Sequence, residues 1–177
     1  MDVRRVVTGR DAGGRSVVAQ DRVVEPVTVS MLPGMEFHRL WGADDPATLP
    51  RSGSPAPGKD YFPPPGGFRF GMFTVPPDSV AALPEDLEAA LGEIESKLPG
   101  LVGHMEPEAP GMHTTDTVDY LYVVSGRVTL ELDEGESVDL AAGDTVIQNG
   151  TRHAWRNSHP EPCVMVVAMV GTGAFRP

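Results

Sequence analysis

The sequence predicts an all-β fold, mainly antiparallel and closed as a barrel or sandwich, with one accessory helix. Short apolar runs recur at intervals of roughly eight to twelve residues, each ended by a turn. The chain holds 20 Gly and 18 Pro among its 177 residues, a punctuation suited to many turns. Only residues 84–98 repeat apolar positions at helical spacing.

The N-terminal elements follow from local pattern. Val3 to Thr8 and Ser16 to Val18 flank Asp11-Ala12-Gly13-Gly14 and read as a hairpin. Val23 to Met31 is an extended run broken at Pro26, and Glu36 to Trp41 is a short strand. Residues 42–67 are rich in Pro, Gly and Ser, and a loop of that length reads as solvated chain, as a flap over a pocket or as an arm on a neighbouring subunit. Phe68 to Val75 alternates as a strand. In the helix, Pro84 suits the first turn and Glu85, Asp86 and Glu88 complement its dipole. Leu87, Leu91, Ile94 and Leu98 form its apolar stripe, and Pro99-Gly100 stops it.

From Leu101 onward the pattern is strands and tight turns. Tyr120 to Val124 and Arg127 to Leu132 flank Ser125-Gly126, which reads as a hairpin. Turns follow at Asp133 to Glu136 and at Ala142-Gly143-Asp144, leading into strands at Thr145 to Gln148, His153 to Asn157 and Cys163 to Val170.

Composition bounds the function. A formal net charge of −11 repels phosphate backbones and anionic lipid, so neither nucleic acid nor membrane is an expected partner. The single cysteine, Cys163, excludes an intramolecular disulfide and reads as a buried, inert thiol. No apolar stretch suggests a signal peptide or a span of ~20 residues, so a cytoplasmic protein is expected. Phosphate loops, nucleophile elbows, zinc knuckles and dinucleotide fingerprints find no supporting context.

The stretch Gly111 to Val170 resembles the cupin superfamily. His113-Thr114-Thr115 occupies the histidine pair of the first cupin motif, Asp119 its acidic position and Gly126 its glycine. Gly143-Asp144, Gln148-Asn149-Gly150, His153 and Asn157 follow the second motif. Both segments look like those of a group of bacterial and fungal single-domain cupins. The resemblance implies a cupin or jelly-roll barrel in one domain, 1–177, with the barrel core at 101–177 and residues 1–100 packing on it. Three positions depart from the pattern: Thr115 replaces a histidine, Asp119 a glutamate and Gln148 a turn proline.

The resemblance makes His113, Asp119 and His153 the candidate catalytic residues and metal ligands. Because strand side chains alternate faces, His113, Thr115, Thr117 and Asp119 would share one face, and His153, Trp155 and Asn157 another. Two histidines and a carboxylate can hold one divalent ion, Fe, Mn, Zn or Ni, or act without metal as an acid–base group. Thr115 and Trp155 are candidate substrate contacts, the first as a hydrogen-bond donor and the second as a wall. His104, His38, Trp41 and Arg69 join only if their segments line the barrel mouth. Asn157 reads as a turn brace, Tyr120 as packing on the opposite face from Asp119, and His159 as exposed. The expected function is proton-transfer enzymology on a small polar acid or carbonyl compound: isomerase, dehydratase or decarboxylase. The alternatives are a non-catalytic metabolite binder and an iron-dependent dioxygenase. A homodimer is expected.

Overall fold

The structure is a computed structural model that describes residues 2–47, 59–81 and 84–173. Among the described residues ten strands run in the order β1 (Val3–Arg10), β2 (Ser16–Val24), β3 (Glu36–Ala43), β4 (Phe68–Val75), β5 (Thr117–Ser125), β6 (Arg127–Glu131), β7 (Ser137–Ala141), β8 (Thr145–Asn149), β9 (Ala154–Arg156) and β10 (Cys163–Gly171). One α-helix, α1 (Leu87–Lys97), separates β4 from β5. A five-stranded sheet has the order β3-β4-β10-β5-β8, a three-stranded sheet the order β7-β6-β9, and β1-β2 stand as a separate hairpin. Every pairing is antiparallel, and the two larger sheets enclose a core as a jelly roll.

Period-two alternation decides what enters that core. On β10, Cys163, Met165, Val167 and Met169 point inward, and on β5 so do Thr117, Asp119, Leu121 and Val123. Their outward neighbours Tyr120, Tyr122 and Val124 are exposed. Cys163 is fully buried, and burial pushes its thiol up to about 11, which keeps it protonated and unreactive.

Several boundaries differ from the sequence expectation. α1 begins at Leu87, after an N-cap in which the Asp86 carboxylate accepts from the Ala89 N–H at 2.9 Å. Its buried line is Ala90, Ile94 and Leu98, while Leu87 is exposed. The run expected from Val23 to Met31 ends at Val24, and only Val27 returns to the sheet, bridging Phe37. Strand β7, Ser-Val-Asp-Leu-Ala, has only two large apolar residues, Val138 and Leu140, and gives too weak a pattern to predict. Of the Pro-rich segment, residues 48–58 lie outside the described residues.

Ser125-Gly126 is not a hairpin turn. β5 pairs with β10 and β8, whereas β6 pairs with β7 and β9, so the chain changes sheets at this point. Gly126 has φ 79°, and a Cβ there would collide with the Pro162 carbonyl oxygen and the Cys163 Cα. Asn157 anchors the nearby β9–β10 connection. Its fully buried amide donates to Val75 O at 3.0 Å and Glu161 O at 2.9 Å, and its oxygen accepts from His159 N–H. It braces the turn as the sequence suggests, and it leaves His159 half-buried rather than exposed. Among the described residues no helix is long and apolar enough to cross a membrane.

Two glycines with the same backbone sign separate strain from collision. Gly14 has φ 79° and open space around it. Gly14→Ala should lower stability in urea unfolding by about 1 kcal/mol. Gly126→Ala should cost about 3 kcal/mol or more, because backbone must move as well.

Candidate functional site

The site begins with a backbone exchange. His113 N–H donates to His153 O and His153 N–H donates to His113 O, each at 3.0 Å. This single antiparallel bridge sets the two side chains next to each other, with ring centroids 4.2 Å apart. Each ring is fixed by a carbonyl: Nδ1 of His113 lies 3.0 Å from Gly111 O and Nδ1 of His153 lies 2.9 Å from Thr151 O. A carbonyl can only accept, so in both neutral rings Nδ1 carries the proton and Nε2 keeps its lone pair. Burial, then the neighbouring His113, pushes His153 down to about 4. Burial also lowers His113, with a smaller contribution from His104. The pair is therefore neutral near pH 7 and offers acceptors rather than positive charge.

Aromatic rings frame the pair. Phe62 lies 4.7 Å from the His104 ring and 6.4 Å from His113, and Trp155 lies 5.8 Å from His153 and 6.4 Å from Phe73. Trp155 is thus a wall beside His153, continuous with the core. His104, whose Nδ1 bonds Gly100 O at 2.8 Å, reaches this cluster too.

Asp119 sits further along the inner face of β5, paired in register with Gln148 and Met169. It is 6% exposed, and its Oδ1 is buried without a hydrogen-bond partner. Burial pushes the carboxyl up to about 6, with the Thr117 hydroxyl pulling the other way. Tyr61 is close enough that the Asp119 charge, after burial, raises its phenol further and keeps it protonated. Thr115 is buried, and its hydroxyl lies 2.8 Å from that of Thr117, so its first partner is a neighbour on the same face.

The three-ligand metal centre expected from His113, Asp119 and His153 is not assembled. Among the described residues no three His, Cys, Asp or Glu side chains converge to hold an ion. The histidines adjoin, but Asp119 stands apart from them. Its side chain is one methylene shorter than a glutamate, and its proton affinity is set by burial and Thr117 rather than by an imidazole. Two imidazole nitrogens alone do not fit Fe, Mn, Zn or Ni, which these sites hold with three or more protein donors.

Two cavities of about 270 Å³ and 320 Å³ flank the region, and neither is lined by His113, Asp119 or His153. The first is lined by residues from β3, β4 and the β1–β2 hairpin, including His38, Trp41 and Arg69, and by Tyr61. The second contains Phe62, His104 and Thr117. Tyr61 and Phe62 were missed by the sequence reading; the available signal was an adjacent aromatic pair ending a Pro-rich loop. Phe62 carries the described end of that loop against His104 and His113, and Tyr61 packs between Phe62 and Phe37.

Two buried groups should pull stability in opposite directions with pH. Asp119 rises from 3.8 to about 6 on folding, so its contribution is present below 3.8 and is lost as pH rises through 6. His153 falls from 6.5 to about 4, so its contribution is present above 6.5 and is lost as pH falls through 4. Between pH 4 and 6, the stability of wild type relative to Asp119→Asn should fall by about 3 kcal/mol, and relative to His153→Gln it should rise by a similar amount. Chemical denaturation at several pH values measures both slopes; matching slopes of one sign would contradict this assignment.

The sequence profile of the cupin domain matches residues 101–169. The phomopsin biosynthesis cluster protein C' of Diaporthe leptostromiformis is 50% identical over 46 residues, 26% of this chain and 24% of that protein. The oryzines biosynthesis cluster protein J of Aspergillus oryzae is 44% identical over 48 residues, 27% of each chain. The chain thus spans about a quarter of the length of the curated relatives it matches. Among solved structures, a predicted oxalate decarboxylase of Thermotoga maritima is similar over 83% of this chain and 92% of that one, with 14% identity and a TM-score of 0.45. Asp119 and both histidines lie inside the matched segment, so residues 101–169 of the chain match the cupin domain family and carry all three of these candidate residues.

Proposed function

We propose that this chain is a small-molecule enzyme that moves a proton on a small polar organic acid or carbonyl compound, in an isomerisation, dehydration or decarboxylation. The observation that carries the reading is Asp119: a buried carboxyl with a free oxygen and a pKa of about 6. Such a group is part protonated near neutral pH and can both give and take a proton. The neutral Nε2 atoms of His113 and His153 would accept hydrogen bonds from a substrate hydroxyl or acid. The Tyr61 phenol, held protonated, would donate to a developing oxyanion. Thr115 and Trp155 would shape the substrate's surroundings. The printed names of the matched relatives refer to biosynthesis clusters, which agrees with small-molecule chemistry.

A dioxygenase would need iron, and two adjacent imidazoles are too few donors to hold it. A metabolite binder without catalysis is the second reading, favoured by the enclosure of the histidines among Phe62, His104 and Trp155. Solvent-deuterium exchange into a panel of hydroxy-, oxo- and unsaturated acids, followed by NMR, separates the two. Exchange is expected for at least one acid, and Asp119→Asn should slow it roughly 10²–10⁴-fold and remove a pH limb near 6. Binding without exchange would establish the metabolite binder. Mild chelation should leave both exchange and melting temperature unchanged, since no ligand stabilisation is lost.

A cytoplasmic homodimer is part of the same proposal. The outer face of β5, β10 and β8 carries Tyr120, Tyr122, Val124, Val170 and Ile147, all exposed. A second copy covering this uncharged patch on a chain of net charge −11 would remove apolar area without like-charge contact. Light scattering should return twice the chain mass, and Tyr122→Glu should return a folded monomer.

A further inference from the structure

The 270 Å³ cavity has an unusual charge balance. Its lining includes Arg5, Arg22, Arg39, Arg69 and His38, and no Asp or Glu. The whole chain has 25 acidic residues against 14 Lys and Arg. Arg69 is already answered by Asp44 at 2.6 Å and by backbone carbonyls. Arg5 is not answered in this way. Its terminal nitrogens donate to Leu40 O and to the neutral Gln20 amide oxygen, both at 2.8 Å, and its Nε is buried without a partner.

Two further features favour an anion as this cavity's ligand. Arg5 and Arg22 face each other directly in the β1–β2 register, a like-charge cross-strand pair that is ordinarily destabilising. No described carboxylate contacts Arg22. His38 is 4% exposed, and its Nε2 is also buried without a partner. Glu36 and Glu25 act on His38 electrostatically, but neither lines the cavity. Buried polar nitrogens without partners are costly, and two guanidiniums and a buried imidazole converging on one space share a single remedy.

The rest of the wall is apolar. The Arg5 guanidinium lies 5.7 Å from the Trp41 ring centre, and Phe70 and Met72 add hydrocarbon surface. The volume equals about nine waters, at the small end of ligand pockets. We propose that this cavity, where the β1–β2 hairpin meets the β3–β4 pair, binds a compact organic carboxylate with an apolar, single-ring-sized body. The carboxylate would accept from Arg5 Nε, Arg22 and His38 Nε2, and its body would lie against Trp41, Phe70 and Met72. Inorganic phosphate would satisfy the cations but leave that wall bare. Tyr61 lines this cavity as well, but the carboxylate contacts at Arg5, Arg22 and His38 include neither Asp119 nor the histidine pair, so the site stands whether or not those residues move protons.

The test uses 4-fluorobenzoate with the full chain, followed by fluorine NMR at low salt. Saturable binding is expected, with contacts from the probe ring to the Trp41 indole rather than to Trp155. Arg22→Gln should weaken it about tenfold, the loss of one charge-assisted hydrogen bond, without lowering the melting temperature, because Arg22 is exposed and holds nothing else. His38→Gln should weaken it as well, and Arg10→Gln, an exposed arginine on the same hairpin, should not. Four results would each overturn the proposal: no binding, unchanged affinity in Arg22→Gln, equal binding of 4-fluorobenzyl alcohol, or displacement by phosphate as readily as by benzoate. Absence of binding because a second copy fills the cavity is counted with the first.

Discussion

The backbone bridge between His113 and His153 is the interaction on which the candidate site rests. Neither residue lies in a regular strand, yet their reciprocal hydrogen bonds close the gap between the segment before β5 and the start of β9. Without that bridge the two imidazoles would sit on independent loops. With it, one side chain buries the other, and the mutual closeness that lowers proton affinity follows. The carbonyls of Gly111 and Thr151 then fix both tautomers, so the rings present acceptors without freedom to rotate.

Asp119 is governed by a different constraint. Strand alternation drives it inward with Thr117, Leu121 and Val123, and the apolar surroundings keep water from its Oδ1. A carboxyl in that position resists ionisation, and a buried polar group left unsatisfied is retained at a cost to stability. The loop before β4 brings Tyr61 near it, and burial together with the Asp119 charge keeps that phenol protonated. The barrel thus contains a neutral histidine pair and a separate carboxyl rather than one merged ionic cluster.

The outer parts of the fold obey the same accounting. Arg69 is buried but saturated, whereas Arg5 and His38 keep unpartnered nitrogens beside a cavity. Contrast within one small region is informative, because burial alone would have treated these side chains alike. The hairpin β1–β2, which the barrel's hydrogen bonding does not require, is held to β3 partly through Arg5 and Leu40.

The sequence by itself determined the fold class and the position of the helix, because alternation and turn residues are local properties, and its likeness to the cupin motifs singled out His113, Asp119 and His153. It also placed the brace at Asn157, whose bonds to Glu161 and His159 are local, and the buried thiol at Cys163, which sits in an apolar run. Tertiary structure alone decided that Ser125-Gly126 crosses between sheets, because strand partners are chosen by long-range register and not by the turn. It alone brought Phe62 against the His104 and His113 rings, with Tyr61 packed behind it, from a segment with no periodic pattern. And it alone separated Asp119 from the histidine pair: shared facing is written in spacing, but distance between side chains depends on how the sheets curve and how far one methylene reaches.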